Sequence, residues 1–341
     1  MRVLVTGHQG YVGVVMTKVL KEAGHDVVGL DTGYFEGCDL FPPEDKVPTI
    51  ERDIRDVVPE DVEGFNAIVH LAALSNDPLG HIDPGLTHDI NQEATLRIAR
   101  LAKAAGAERF IFASSCSLYG ASDTSKPLDE KAPTAPLTPY ARSKIESETE
   151  LAKLADDNFS PVYMRNATCY GVSARMRADV VLNNLVCWAV LTGKVQLQSD
   201  GRSWRPLLHV EDMCRAFAAM LSVPREKIHN QAFNIGRNEH NYLVRDIAEI
   251  VHKTVPNSEV AFAEGATADA RSYRVDFTKL ATTLPDLEFR WDAEKGAKQV
   301  YDAVRASDMT EKIFLGRRHI RLNQLKYLME AGKLDSSLHW I

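Results

Sequence analysis

Short apolar runs alternate with longer amphipathic segments along the first half of the chain. The runs have the length and composition of buried strands. They cover residues 2–6, 26–31, 67–71, 109–113 and 161–165. Between them, segments 10–24 and 90–106 carry apolar residues at helical spacing, and each stops at a glycine, as helices commonly do. The pattern predicts repeated strand–helix–strand units.

Such units predict an α/β fold of the Rossmann type, a doubly wound parallel sheet with helices on both faces. Parallel neighbours need crossover connections, and right-handed helical crossovers cover both sides of the sheet. Residues 1–168 are expected to form this domain. Ligands of such sheets bind at the carboxyl ends of the strands, so functional side chains are expected there.

The second half of the chain, residues 169–341, has no comparable repeat and predicts a smaller, interleaved α/β lobe that contacts substrate. Residues 205–221 read as a strand that leads into a well-formed helix, so parts of about 205–240 are expected to return to the first domain. Segment 317–334 has apolar residues at helical spacing with basic residues between them. A docked amphipathic tail is the preferred interpretation, and a specific partner site is the alternative.

Composition narrows the possible functions. The chain has 341 residues with a formal net charge of -7, so nucleic acid has no electrostatic reason to bind. Its five cysteines are odd in number and include no Cys-x-x-Cys, which predicts reduced thiols in a cytoplasmic protein and argues against zinc. No apolar stretch reaches the roughly 18–20 residues that span a bilayer, so no membrane partner is expected.

Three glycines, Gly7, Gly10 and Gly13, follow the first predicted strand at equal spacing. In this context the first permits a tight turn, the second leaves room for a pyrophosphate at the positive helix N-terminus, and the third lets helix and sheet pack closely. Asp31 ends the second predicted strand, where its carboxylate can accept from both hydroxyls of an adenosine ribose. Because a 2'-phosphate would meet like charge there, NAD is favoured over NADP. A glycine-rich turn without a ligand is the alternative.

A second cluster of candidate residues lies about 100 residues further on. Tyr140 and Lys144 are four positions apart in a predicted helix and therefore share one face. The ammonium and a bound nicotinamide cation would stabilise phenolate and lower the pKa of Tyr140, making it a base. Ser115 stands at the carboxyl end of the 109–113 strand, where its hydroxyl can bond the oxygen that exchanges the proton. An exposed helix face is the structural alternative for the Tyr140–Lys144 pair.

These features resemble the extended short-chain dehydrogenases/reductases, specifically their nucleotide-sugar epimerase/dehydratase branch. The resemblance covers nearly the whole chain and includes "TGHQGYVG", "RDIRD", "VHLAA", Asn91, "SSCSLYG", "MRNATCYG", "LNNL", "RPLLHVED" and "DARSYRVDFTKL". It implies a tightly held NAD and a catalytic set of Ser115, Tyr140 and Lys144. The residues implied for the cofactor site are Gly7, Gln9, Gly10, Tyr11, Val12, Gly13, Asp31, Asp53, Ile54, Leu71, Ala72, Ala73, Tyr140 and Lys144.

The resemblance also implies a nucleotide-diphosphate sugar as substrate. Asn184 and Arg205 would hold its diphosphate, and Arg271 offers a further guanidinium, although a surface ion pair explains Arg271 equally well. The loop at 74–85 is expected to overhang the sugar, or else to be a polar loop cap. The residues implied for the substrate site are Ser75, Asn76, Ser115, Ser117, Thr168, Asn184, Arg205 and Arg271.

The chain departs from the family pattern at three places. Cys116 and Ser117 occupy the positions where 4,6-dehydratases carry an Asp-Glu pair, and a thiol and a hydroxyl are poor substitutes for that acid and base. Thr168 stands where epimerases often carry Asn, which shortens a diphosphate contact. Pro206 replaces the usual acidic residue after Arg205 and alters how that arginine is held.

The leading hypothesis is therefore an NAD-dependent nucleotide-sugar 4-epimerase that works through a transient 4-keto sugar. A nucleotide 4-keto-sugar reductase uses the same three catalytic residues and stays open as the runner-up. A 4,6-dehydratase and a non-catalytic nucleotide-sensing protein are less favoured. By analogy a homodimer is expected, paired through the helix of Tyr140 and its neighbour that begins near Leu86. His81 and His88 lack the paired spacing of metal ligands, and no metal is assigned.

Overall fold

A seven-stranded parallel sheet forms the centre of the computed structural model, which describes residues 1–43, 46–75, 83–267, 269 and 271–341. The strands in these ranges, in sequence order, are β1 (Arg2–Thr6), β2 (Asp26–Asp31), β3 (Thr49–Glu51), β4 (Ala67–His70), β5 (Arg109–Ser115), β6 (Ser160–Asn166), β7 (Thr168–Tyr170), β8 (Lys194–Ser199), β9 (Trp204–His209), β10 (Gln231–Ile235), β11 (Asn241–Leu243) and β12 (Glu259–Thr267). The order across the central sheet is β10–β6–β5–β4–β1–β2–β3, which confirms the predicted α/β fold class.

The five predicted strands are present, with ends within two residues of the expected ones. The largest difference is in β5, which continues to Ser115 because that residue still pairs with Asn166 in the parallel register of β6. Ser115 therefore stands on the last position of the strand and not in the loop beyond it. Two strands of the sheet were not predicted: β3 is only three residues long, and β10 joins the sheet edge from the second half of the chain.

Helices cover the two faces of the sheet and build the smaller lobe. They are α1 (Tyr11–Glu22), α2 (Pro84–His88), α3 (Ala94–Ala104), α4 (Pro139–Ala152), α5 (Val181–Thr192), α6 (Val210–Ser222), α7 (Arg225–Ile228), α8 (Val244–Thr254), α9 (Thr278–Thr283), α10 (Ala293–Ala306), α11 (Glu311–Phe314) and α12 (Arg321–Glu330). A π-helical turn, Asp89–Glu93, joins α2 to α3, so the predicted helix at 90–106 is not regular throughout. Within the described ranges, no helix combines the length and hydropathy that crossing a bilayer requires.

The central sheet is buried on both sides. Successive side chains of a strand point to opposite faces, and in β1 Val3 and Val5 enter one apolar cluster while Leu4 enters another. The first cluster contains residues of α1 and α6, and the second contains residues of α3 and α4. Helix α6 comes from the second half of the chain, so the expected interleaving of the two halves is present.

The smaller lobe contains two short sheets and a core of its own. In one sheet β9 lies between β11 and β7, and in the other β8 pairs with β12. Helices α5, α8 and α10 bury apolar residues in the cluster that this lobe forms. Strand β9 thus belongs to the smaller lobe, whereas α6 and β10, which follow it, return to the large sheet.

The C-terminal segment packs on the large sheet. Leu325 and Leu328 of α12, followed by Leu334 and Leu338, are almost fully buried in the same cluster as α3. Burying such a side chain contributes about 1.5–3 kcal/mol relative to leaving it exposed. The amphipathic tail predicted at 317–334 is therefore docked, and it lies against the first part of the chain.

Candidate active site

A cavity of about 840 Å³ lies at the carboxyl ends of the central strands, in the upper part of the size range of ligand pockets. Both halves of the chain line it. Of the residues predicted from the sequence, it brings together Gly7, Gly10, Tyr11, Val12, Gly13, Asp31, Asp53, Ile54, Leu71, Ala72, Ala73, Ser75, Ser115, Ser117, Tyr140, Lys144, Thr168, Asn184, Arg205 and Arg271. Gln9 is not in this lining, and Asn76 falls outside the described residues, as does His81.

The glycine loop has the geometry that a pyrophosphate needs. Gly7 has a φ of +72°, and a Cβ there would lie 2.8 Å from the backbone nitrogen of Ala72. A Cβ on Gly13 would collide with the carbonyl oxygen of Gly7. The first turn of α1 therefore packs directly against the turn that follows β1. Gly10 is the N-cap residue and provides no side-chain cap. The positive end of α1 therefore faces the cavity uncovered, which fits the phosphates of a dinucleotide.

Asp31 closes β2 with its carboxylate fixed in place. One oxygen accepts from the backbone N–H of Gln9 at 2.9 Å, and the other accepts from Gly33 at 2.9 Å. Each carboxylate oxygen retains further acceptor capacity. The group lines the cavity and can still receive the hydroxyls of a ribose, as expected for NAD.

Replacing Asp31 with asparagine is expected to weaken NAD binding roughly tenfold or more, because a charge-assisted hydrogen bond is worth about 1.5–3 kcal/mol. NADP binding is expected to fall less, or to rise, since the charge that repels a 2'-phosphate is removed. Titration calorimetry of the nucleotide-free protein with both dinucleotides measures the ratio. Asp26→Asn, at the exposed start of the same strand, is the control. An unchanged NAD-to-NADP ratio in the Asp31 variant would contradict its role.

Asp53 holds the other side of the expected adenosine site. Its oxygens accept from the backbone and guanidinium of Arg55 at 2.6–2.9 Å and from the Tyr34 hydroxyl at 3.1 Å. Burial opposes ionisation, but the bonds from Arg55 keep the pKa of Asp53 below its usual value. Potential metal ligands of Asp53, Asp56 and His339 lie within 4.8 Å of one another. Because Arg55 already neutralises Asp53, this cluster leads to no metal assignment.

Tyr140 and Lys144 lie one turn apart near the start of α4, and both line the cavity. The helix begins here because the hydroxyl of Thr138 accepts from the backbone N–H of Ala141 at 3.2 Å. The Lys144 ammonium lies 5.6 Å from the centroid of the Tyr140 ring and 4.7 Å from that of Phe112. The spacing in the sequence thus places the cation beside the phenol and inside the site.

Lys144 is only 3% exposed. Burial lowers its pKa to about 7, and the nearby Glu148 opposes this only in part. The Glu148 carboxylate is held by Arg165 at 2.6 Å, so it is already neutralised and has little left to offer the lysine. The amine consequently changes protonation near neutral pH.

At the end of β5, Ser115 lines the cavity and the next residue, Cys116, is buried behind it. Ser115 accepts from the backbone N–H of Ser117 at 3.1 Å, and both serines line the cavity. Cys116 is fully buried, and its thiol donates to the carbonyl of Arg165 at 3.1 Å. Burial raises the pKa of Cys116 far above its usual value. The thiol therefore keeps its proton and lies outside the cavity lining.

Asn91 connects the loop after β4 to α4. It lies in the π-helical turn between α2 and α3, a type of irregularity that is frequent at functional sites. Its side-chain oxygen accepts from the backbone of Leu74 at 2.8 Å, and its amide donates to the hydroxyl of Ser143 at 3.2 Å. Ser143 directly precedes Lys144, so this buried amide fixes the lysine's segment against the cavity wall.

The two arginines expected to hold a diphosphate lie together in the smaller lobe. Arg205 and Arg271 donate to the same carboxylate, Asp269, at 2.7 Å and 2.9 Å. Burial opposes the ionisation of Asp269, but the bonds and charges of Arg271 and Arg205 keep its pKa below the usual value. The three groups carry a net positive charge toward the cavity, which Asn184 and Thr168 also line. The geometry fits an anionic ligand at this end.

Some lining residues were not predicted. Arg177 pairs with Asp179 at 2.8 Å and donates to the Ser75 hydroxyl at 3.2 Å. Its sequence signal was the arginine-rich segment 171–177, which has no regular periodicity. Gln196 and Gln198 line the far end from β8. The signal for that strand was the polar and apolar alternation of residues 194–199.

Comparisons with known proteins agree with this geometry. The sequence model of the NAD dependent epimerase/dehydratase family matches residues 3–236. A UDP-glucose 4-epimerase of Corynebacterium glutamicum is 29% identical over 73% of this chain and 79% of its own length. The solved structure of MoeE5 with UDP-glucuronic acid and NAD is 25% identical, with a TM-score of 0.78 over 89% of this chain and 99% of that one. The NDP-hexosamine 5,6-dehydratase TunA shares the fold, with a TM-score of 0.80 at 22% identity over 90% of this chain and 98% of that one.

Proposed function

Because the chain belongs to the NAD-dependent epimerase/dehydratase family, and is therefore an enzyme that uses NAD, we propose that it is a nucleotide-sugar 4-epimerase. The observation that carries the proposal is the convergence of Ser115, Tyr140 and Lys144 on one cavity, beside an inert Cys116 at the position where dehydratases need an acid. The curated relatives named UDP-glucose 4-epimerase support the same reaction type.

NAD held by the Gly7–Gly13 loop and Asp31 would supply reversible hydride transfer at the sugar carbon. Tyr140 takes the proton of the C4 hydroxyl as the base, and it returns a proton to the same oxygen when the keto sugar is reduced. Ser115 donates to that oxygen and orients it. Lys144, one helical turn from Tyr140, stabilises the phenolate while it is charged. The proton balance over the complete cycle is zero.

Inversion at C4 requires the keto sugar to present its other face to the cofactor while its nucleotide stays bound. The Arg205–Asp269–Arg271 group is suited to hold the diphosphate as a fixed point, because planar guanidinium groups donate in pairs to phosphate oxygens. Ser75 and Ser117 line the same cavity and are proposed to bond the sugar hydroxyls. The cavity of about 840 Å³ leaves room for the keto sugar to rotate.

The test is direct. Purified protein is incubated with UDP-, GDP-, CDP- and dTDP-sugars without added cofactor, and the product is analysed by NMR. Inverted configuration at C4 without net cofactor consumption is the expected result. A parallel incubation contains a 4-keto-sugar nucleotide with NADH or NADPH, and stoichiometric consumption of the reduced cofactor there, without C4 inversion in the first incubation, would instead identify the reductase. Tight binding without chemistry on every sugar nucleotide would contradict both. The homodimer and the cytoplasmic location stay predictions.

A further inference from the structure

Arg321, the first residue of α12, supplies a buried guanidinium to the cavity from the far end of the chain. Its side chain is only 2% exposed and lines the cavity. One of its nitrogens, Nη2, donates to the carbonyl of Arg175 at 2.6 Å, and the guanidinium stacks 4.3 Å from the centroid of the Phe35 ring. The other nitrogen, Nη1, is buried without a hydrogen-bond partner in the part of the chain that the structure describes.

The charges around Arg321 do not balance. Arg175 pairs with Asp39 at 2.9 Å, and Arg177 pairs with Asp179 at 2.8 Å. Within the described ranges Arg321 forms no ion pair of its own. Burial and the neighbouring Arg177 lower the pKa of Arg321 to about 10. A buried cation without a counter-ion is unfavourable, so this wall of the cavity is suited to an anion.

The position of Arg321 in the cavity indicates which anion it would bind. Phe35, on which the guanidinium stacks, follows β2 by four residues, and β2 ends at Asp31. Asp31, Phe35 and Arg321 line the same cavity as Gly10 at the N-terminus of α1. The arginines expected to hold the sugar nucleotide are on other elements, in β9 and after β12. The contact with Phe35 places the guanidinium beside the loop that follows Asp31, which is the residue expected to bind the adenosine ribose.

We propose that Nη1 of Arg321 donates to a phosphate oxygen of the NAD pyrophosphate, so that the C-terminal helix completes the cofactor site. The helix N-terminus at Gly10 supplies partial positive charge, and Arg321 supplies a full charge with a directed donor. The family model matches residues 3–236, so Arg321 lies outside the matched segment. The proposal rests on the NAD cofactor and is independent of which sugar the enzyme converts.

The rest of the tail holds this arrangement in register. Gln324 of α12 donates to the carbonyl of Tyr34 at 2.9 Å, and the indole of Trp340 donates to the carbonyl of Thr32 at 2.7 Å. The Tyr34 hydroxyl in turn bonds the carbonyl of Leu338. The loop after Asp31 is thus attached to the C-terminal segment, and Arg321 keeps its place relative to the adenosine side of the cavity.

The experiment compares ligands that differ in phosphate content. Nucleotide-free wild type, Arg321→Met and Arg321→Gln are titrated with NAD, ADP-ribose, adenosine and UDP. Both variants are expected to bind NAD and ADP-ribose at least tenfold more weakly, with adenosine and UDP unchanged. Arg321→Gln keeps a donor for the Arg175 carbonyl, so it tests the charge even if the methionine variant folds poorly. Arg317→Met is the control. Arg317 precedes α12, stacks on Tyr327 and donates to Gln324 of that helix. It does not line the cavity.

Thermal unfolding of the nucleotide-free variants provides a second readout. If Arg321 serves to bind a phosphate, removing its charge leaves the melting temperature of the nucleotide-free protein unchanged or raises it. A purely structural arginine would lower it. Unchanged ADP-ribose affinity, or an equal loss of adenosine binding, would overturn the proposal. Weaker UDP binding with unchanged ADP-ribose binding would assign Arg321 to the sugar nucleotide's diphosphate instead.

Discussion

The Tyr140→Phe variant is expected to turn over roughly 10²–10⁴ times more slowly than the wild type while it still binds NAD, since a positioned general base contributes about that factor. The substitution removes the phenolic oxygen and almost no volume. The ring stays beside Lys144, so the cavity should keep its shape. The rate is followed by NMR on whichever sugar nucleotide the wild type converts, and bound NAD is measured by absorbance after denaturation.

Tyr301→Phe is a suitable control for this prediction, because it removes the same hydroxyl from α10, outside the cavity lining. Its turnover is expected to equal that of the wild type. Near-native turnover in the Tyr140 variant would show that another group removes the proton. If the variant also lost its bound NAD, the hydroxyl would be needed for cofactor binding. The lower turnover would then not identify Tyr140 as the base.

Lys144→Met is expected to cost a similar factor in turnover, about 10²–10⁴, because the phenolate loses its neighbouring cation. The same change is expected to raise the melting temperature of the nucleotide-free protein. Lys144 has a pKa of about 7 in the folded protein against a usual value of 10.5, so folding opposes its protonation. Methionine fills much of the same volume and carries no charge to desolvate.

The pH dependence of the stability difference follows from the same pKa values. The unfolded chain binds the lysine proton more tightly, so wild-type stability falls as the pH drops from about 10.5 to about 7 and is constant below that. The Lys144→Met variant does not lose stability for this reason, because it has no amine at this position. Its advantage in melting temperature is therefore expected to be small at pH 10 and largest at pH 7 and below. Calorimetric scans across this range measure it.

The matched control is Lys153→Met. Lys153 is an exposed lysine just beyond α4 that pairs with Glu150. This variant is expected to change neither turnover nor the pH profile of stability. A Lys144 variant that is less stable than the wild type at pH 7 would show that the ammonium is satisfied in the folded protein, and that burial does not limit it.

Much of the dinucleotide end of the site was predictable because its determinants are local. Gly7, Gly10 and Gly13 act on one turn between a strand and a helix, and Asp31 follows from the end of the next strand. Tyr140 and Lys144 share a face because four residues are close to one helical turn. Ser115 follows from the strand that it ends. In each case the physical reason operates within a few residues, so the pattern is visible in the sequence.

Residues contributed by distant segments were not predictable in this way. Arg177 has no periodic pattern around it, and Arg321 is separated from Gly10 by most of the chain. Its basic segment was interpreted correctly as a docked tail, but nothing in its spacing indicated which side chain would enter the cavity. Among the described residues Arg321 has no ion pair, and this is likewise a property of the surrounding packing, since Asp39 and Asp179 pair with other arginines.

By itself, the amino-acid sequence determined the alternation of strands and helices, the parallel sheet that this alternation requires, and which candidate site residues stand at the strand ends. Only the tertiary structure decided how deeply Lys144 and Cys116 are buried, which charges remain unpaired, and which parts of the second half meet the first. The reason is that periodicity and capping are local, whereas desolvation and charge balance depend on side chains that folding brings together from anywhere in the chain.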